Sequence, residues 1–459
     1  MARATLGLAF LVLGSQFCFP RLFGYLGVAA VQFLELMLCA PAIALGIATW
    51  FRGRSFANSW PVMLCALLLW LGLAYAERSE SKRGLYYATV MTLAVPLGAL
   101  IAHKRAWGFC AKAFVLGCAV GTLVVGCLQL GVEGGWRDLA HVRFGLYYVK
   151  WKTNYMTNPN EVGFHLAQGT VLAFLLYLRS RGAAPQSAAC RSSGLGLAWT
   201  ILLLAGCVLT LSRGAFVGCL LGLGLLALFG TRTQPLSKVT ELLAATCLGI
   251  ILVLLFTAAS GHMPWEGMKA RFLQEDNVAT LGDRTEIWRN VFRALGSKGK
   301  YLFIGTGTGM ASQVLGQFDP GAMVDAYGRL HRSCHNLFLD WVLSYGLLGL
   351  FVGSCAMVAM WHQAFRLDRR EGSIDRRAFL ATVMVLGMTG VMYQHGCTLA
   401  TGSLVLAMLC DAPLLGNPQH STFSGPACSP CAASDARWVR QAAGAARKAP
   451  WLVTQRGCL

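Results

Sequence analysis

Apolar residues in this chain come in long runs instead of alternating with polar ones. The runs recur along the whole length and are long enough to cross roughly 30 Å of hydrocarbon. They predict spans at 4–19, 28–50, 61–76, 85–102, 108–130, 162–178, 195–211, 214–230, 240–258, 336–361, 378–395 and 400–415. The short alternating segments of a barrel are absent from the pattern. The fold class is therefore an all-α polytopic membrane protein with about 12 transmembrane helices. The run after Arg3 lacks a small-residue cleavage site and reads as a retained first span.

The polar stretches between the runs set the organisation. A transmembrane bundle over 1–259 carries a loop near 131–161; a large loop covers 260–335; the last spans occupy 336–415; and 416–459 reads as a flexible tail. Loops this long inside a bundle are usually functional. The larger one contains GDRTEIWRNVFRAL, a helix that Asp283 can cap with Glu286 completing a capping box. Its expected apolar stripe is Ile287, Trp288, Val291, Phe292 and Leu295.

Composition fits this picture. Hydrophobic residues make up 56% of the 459 and charged residues only 13%, too few for an ordinary wet surface. The formal charge of +19 would suit nucleic acid, but the cations sit in loops between spans, which excludes that partner in favour of membrane lipids and an anionic lipid substrate. Loops with Arg52, Arg54, Lys104, Arg105, Arg179, Arg181, Arg191, Arg232, Lys238 and the cluster Arg366, Arg369, Arg370, Arg376 and Arg377 are the richer in cations. That side, with both termini, is assigned to the cytoplasm, and both long loops then face outward. Most of the 17 cysteines stand alone in apolar runs and behave as small hydrophobes, and the single Cys428-x-x-Cys431 has no second pair to hold zinc.

Two places combine charge with membrane. LTLSRGAFVG puts Arg213 at a tight reversal between spans seven and eight, followed by Gly214, Gly218 and Gly222 at a spacing that admits a close helix. Arg213 either snorkels to lipid phosphate or faces a ligand. Arg284, Arg289, Arg329, His331, Arg332 and His335 from the large loop, and Arg143, Lys150 and Lys152 from the smaller one, share its side, which favours one anionic ligand held by guanidinium forks. His335-Asn336 stands where the large loop re-enters the membrane; the histidine is either a cap or a base for a sugar hydroxyl. Gly305-x-Gly307-x-Gly309 lacks the context of a nucleotide loop and reads as a turn folding the loop back onto the bundle. Glu35 in span two is left unassigned between an interhelical bond and a functional role.

The Ser-Arg-Gly turn, Asp-Arg-x-x-x-Trp at 283–288, GTGTGM at 305–310, His335-Asn336 before a span with Gly346 and Gly349, and Asn158-Pro159-Asn160 with Arg143 before it together resemble the O-antigen ligase/polymerase superfamily. Within it the chain looks most like the O-antigen ligases. The resemblance implies a GT-C-type glycosyltransferase of the bacterial inner membrane with a periplasmic active site. It would transfer a glycan from an undecaprenyl pyrophosphate-linked O-antigen donor to a sugar hydroxyl of the lipid A–core acceptor, with no metal or other cofactor; one displacement of this kind predicts inversion at the anomeric carbon. Carried over by motif, Arg213, Arg284 and His335 are catalytic, and Arg143, Lys152, Arg289, Arg329, Arg332 and Asn336 bind substrate. An O-antigen polymerase or a protein O-oligosaccharyltransferase shares the donor and stays open as an alternative. A lipid-linked glycan transporter would call for inverted repeats, which the chain does not display.

Overall fold

The computed structural model describes residues 2–19, 28–52, 60–75, 81–131, 147–149, 155–157, 159–182, 187–229, 235–259, 284–319, 323–324, 330–332, 334–371, 373–389 and 396–409. Each apolar run folds as a helix: α1 (Ala2–Ser15), α2 (Val28–Arg52), α3 (Trp60–Tyr75), α4 (Ser81–His103), α5 (Trp107–Gly131), α6 (Pro159–Gly182), α7 (Ser187–Leu209), α8 (Arg213–Phe229) and α9 (Pro235–Ala259). The large loop contributes α10 (Arg284–Ser297), α11 (Gly299–Ile304) and α12 (Ala311–Gly316), after which come α13 (Leu337–Glu371), α14 (Asp375–Thr389) and α15 (Gly396–Leu409). Two short antiparallel ladders, which the sequence pattern does not announce, complete the two long loops: β1 (Tyr147–Val149) with β2 (Tyr155–Thr157), and β3 (Met323–Val324) with β4 (Leu330–His331).

Helices α2, α5, α6, α9 and α13 are long and apolar enough to cross a membrane, which makes the chain a polytopic membrane protein. Most of the others are shorter apolar helices packed among them. Burial separates centre from rim. The span of α6 is 89% buried and that of α9 only 22%, so α6 is the axis of the bundle and α9 faces outward. Helices α5, α7 and α8 pack on α6. Its polar residues are used inside the bundle: Thr401 Oγ1 of α15 donates to Gln168 Oε1 at 2.5 Å.

Close approach explains the glycines of α8. A Cβ on Gly218 would come within 2.9 Å of Leu386 Cδ2, and one on Gly222 would overlap Thr382 Oγ1. Helix α14 therefore lies directly on this small-residue face.

The basic cluster at the other end of α14 departs from expectation. Arg376 and Arg377 do not serve as free loop charges. Arg376 is fully buried, with Nη2 2.6 Å from Glu371 Oε1, Nη1 3.4 Å from Asp368 Oδ1 and Nε donating to the Met408 carbonyl at 2.9 Å. Arg377 Nε donates to Asp368 Oδ2 at 3.2 Å, and Arg179 Nε to Asp375 Oδ2 at 2.8 Å. A buried carboxylate such as Asp368 must be paired, and these guanidinium groups are its partners. The network ties the ends of α6, α13, α14 and α15 together.

Candidate active site

The reversal between α7 and α8 is built from local hydrogen bonds. Thr210 N–H donates to Gly206 O at 3.1 Å and Leu211 N–H to Val208 O at 2.9 Å, closing α7. Leu211 then takes φ +51°, a left-handed conformation that costs a non-glycine residue on the order of 1 kcal/mol. Ser212 caps the next helix, accepting from Phe216 N–H on its carbonyl at 3.0 Å and from Ala215 N–H on its hydroxyl at 3.5 Å. Arg213 is thereby the first residue of α8, half-buried at the mouth of the reversal. Gly163 of α6 lets that helix touch the turn: a Cβ there would lie 2.9 Å from Thr210 Oγ1 and 3.0 Å from Ser212 Cβ. Asn158 lies outside the described residues, but the helix it precedes abuts the Arg213 turn.

His335 repeats the device, at φ +50°. Asn336 Oδ1 accepts from Phe338 N–H at 2.9 Å and Leu339 N–H at 3.1 Å, so the side chain expected on substrate has its oxygen engaged at the start of α13, where unpaired amides need it. The tryptophan of the Asp-Arg-x-x-x-Trp motif reaches the same turn: Trp288 Nε1 donates to Cys334 O at 3.2 Å. Helix α10 is held there by its apolar face. Ile287, Val291, Ala294 and Leu295, at i, i+4, i+7 and i+8, bury against Tyr301, Leu315, Cys334 and Leu343. Phe292 does not join them; it is 62% exposed, since it falls about 140° around the helix from Ile287. Asp283, the expected cap, lies outside the described residues.

Electrostatics bring the cations to the histidine. Burial first, then the guanidinium groups of Arg284 and Arg332, pull the His335 imidazolium down from 6.5 to about 4. Arg332 is steadied by Asp319, Nε to Oδ2 at 3.1 Å, and by its own N–H, which donates to Ser312 O at 2.9 Å. Arg289 is exposed and is not among the charges acting on His335. Arg143, Lys152 and Arg329 lie outside the described residues.

Arg213 comes from the other half of the bundle, and α14 relates it to the histidine. Leu386 meets Gly218 of α8, and the next residue, Gly387, meets Leu337, with 3.0 Å from a built Cβ to Leu337 Cδ2. The Arg213 turn and the His335 turn thus arrive at the same end of α14. This end gathers a cation at a helix start, a histidine and two further guanidinium groups. Residues 198–354 match the O-antigen ligase family.

The matched region covers about a third of the chain and holds Arg213, Arg284, Arg289, Arg332, His335 and Asn336; the expected resemblance to the O-antigen ligase/polymerase superfamily is therefore found. The match supports an enzyme of the O-antigen ligase or polymerase type. No curated protein gives a significant match. The ligase-family region ends inside α13, leaving out α14, the helix that joins its two halves.

Within the ligase-family region the glycine-rich loop folds back as the spacing predicts, but onto an unexpected seat. Helix α13 is interrupted at Gly346, φ +62°. The carbonyls freed by the break take donors from the loop: Thr306 N–H to Leu343 O at 2.9 Å and Gly307 N–H to Ser344 O at 2.9 Å. Thr308 reaches α3, its hydroxyl donating to Leu69 O at 2.7 Å and lying 2.9 Å from Tyr345 Oη. Backbone groups freed by a break in a buried helix need such internal partners. A Cβ on Gly346 would overlap the Phe303 carbonyl and come within 2.6 Å of Ile304 N. This seat fixes the start of α13, and with it His335.

Two groups were not found from sequence. Asp319 stands 13 residues before Arg332 and carries no local signal of its pairing. Glu35, left unassigned, is buried in α2 facing His165 of α6, whose Nδ1 lies 3.1 Å from Glu161 O.

Proposed function

We propose that the chain is an O-antigen ligase, a GT-C-type enzyme that transfers a glycan from undecaprenyl pyrophosphate to a sugar hydroxyl of lipid A–core on the periplasmic face of the bacterial inner membrane. One observation carries the reading: His335 sits in the field of Arg284 and Arg332 at the end of the bundle that the Arg213 turn also reaches.

The chemistry follows from those groups. The donor already carries its activation in the pyrophosphate linkage. As the anomeric bond breaks, negative charge grows on the leaving diphosphate, and Arg213 and Arg284 receive it; fixed cations at a partly dry site stabilise such charge strongly. His335 is neutral at neutral pH, the protonation state in which an imidazole can act as base toward the acceptor hydroxyl. Docking of the diphosphate offsets the neighbouring guanidinium charge and raises the basicity of the imidazole when the acceptor is to be deprotonated. A single displacement inverts the anomeric carbon. Arg332 and Arg329 of the large loop, with Arg143 and Lys152 of the smaller one, extend the cationic grip on the diphosphate, with Arg289 at its exposed rim; Asn336 serves by holding the His335 turn.

The test is reconstitution of the purified chain with lipid-pyrophosphate glycan and rough lipopolysaccharide in the presence of EDTA. A higher-mass lipopolysaccharide is expected, lost in His335→Ala and severely reduced in Arg213→Ala and Arg284→Ala. A fully active His335→Ala enzyme removes the proposed base. Elongated lipid-linked glycan without modified lipopolysaccharide assigns a polymerase instead.

A further inference from the structure

Helix α11 carries an unusual surface. Leu302, Phe303 and Ile304 are consecutive and 41%, 62% and 41% exposed. Three neighbouring large apolar side chains turned outward do not persist against water without a partner. The residue before them faces the other way: Tyr301 is buried in the cluster formed with α10, α12 and α13. Lys298 and Lys300 flank it, their ammonium groups 5.3 and 5.5 Å from the Tyr301 ring centroid. The order is cation, cation, then an apolar tip.

The height of this tip is set by α13. Its exposed apolar side chains run from Leu347 to Phe365 and are followed by Arg366. At 1.5 Å per residue that stretch rises roughly 28 Å, about the thickness of the hydrocarbon layer. Leu347 therefore marks one edge of the layer. The α11 backbone at Phe303 and Ile304 touches Gly346, the residue before it. Leu347, Leu348 and Phe351, at 45%, 46% and 68% exposure, continue the outward apolar surface of α11 down the span.

We propose that α11 is an interfacial membrane anchor of the large loop, sinking Leu302, Phe303 and Ile304 into the edge of the hydrocarbon layer and setting Lys298 and Lys300 among anionic lipid headgroups. A tip continuous with a spanning helix, with lysines whose stems reach the headgroup level, suits a lipid bilayer. The inference does not depend on the reaction the chain performs. Its mechanical consequence is that the loop is held to the bilayer from outside and to the break in α13 from inside.

A fluorescent amino acid placed at Phe303 of the full chain, reconstituted in phosphatidylethanolamine–phosphatidylglycerol vesicles, tests this. Nitroxide lipids labelled near the headgroup should quench it to at least about half the extent seen for the same label at Val358 in mid-span, while aqueous iodide leaves it largely unquenched. Lys298→Glu with Lys300→Glu should reduce the lipid quenching. Leu302 offers a second labelling position should the Phe303 substitution fold poorly. Strong iodide quenching with little lipid quenching at both positions overturns the proposal. So does quenching that grows with protein density at fixed lipid composition, which would assign the tip to a second copy of the chain.

Discussion

Replacing Arg284 with Gln should make His335 more basic, and the shift can be sized. The imidazole is pulled from an ordinary 6.5 down to about 4, with burial the largest cause and Arg284 ahead of Arg332. A like charge at close range moves a pKa by about 1–3 units. Because burial takes the largest share of the gap, Arg284→Gln should recover roughly one unit. The assay is the pH dependence of kcat/KM with lipid-pyrophosphate donor, which reports the free enzyme. In the parent chain the acidic limb should fall near 4. In Arg284→Gln it should move up by about one unit, with a lower plateau because the diphosphate has lost a guanidinium. Asp319→Asn supplies the opposite sign: freeing Arg332 of its carboxylate strengthens the positive field and moves the limb no higher than in the parent. The same shift has a stability face. Since the folded value lies below the unfolded one, the unfolded chain binds the extra proton as pH drops, so stability is whole above about 6.5 and is lost toward 4, by at most about 3 kcal/mol. An acidic limb near 6.5 in the parent, or one that Arg284→Gln leaves in place, refutes the coupling of base and clamp.

Three further outcomes follow from packing. Gly346→Ala adds a Cβ against the Phe303 carbonyl at a left-handed residue and should lower stability by more than about 2 kcal/mol, read as a large fall in Tm in detergent. Trp288→Phe leaves the Cys334 carbonyl without its donor; a loss of about 1–3 kcal/mol is expected, and kcat should fall more than donor affinity because the turn holding His335 loosens. Arg376→Met takes one of two guanidinium partners from the buried Asp368, which keeps Arg377, and should cost about 1–3 kcal/mol, while adding Asp368→Asn should restore part of the loss in a double-mutant thermal melt.

Helix positions were legible because hydrocarbon-length runs leave little choice of structure: the described part of each expected span lies on a helix, and five of those helices are long and apolar enough to cross a membrane. The stripe of α10 was legible except for Phe292, a large apolar residue whose angle lies off the buried face. The candidate site could be read as far as its members: Arg213, Arg284, Arg332 and His335 stand out as polar groups at the ends of apolar runs or in the large loop. What holds them in register could not. The seat of Thr306 and Gly307 on α13 depends on a break at Gly346 that a single glycine in an apolar run does not announce. Arg376 and Arg377 looked like ordinary surface cations because their partners, Asp368 and Glu371, precede them across a turn and are brought into contact only by folding. The pairing of Arg332 with Asp319 is of the same kind.

The glycine loop that completes the interrupted α13 limits how such proteins can be re-engineered. An outer loop that merely covered the bundle could be exchanged with a relative's to alter acceptor preference. Here Thr306, Gly307 and Thr308 satisfy atoms of α13 and α3, so a transplanted loop would leave holes in the scaffold beneath it. Chimaeras should retain function only where donor and recipient share the seat as well as the loop.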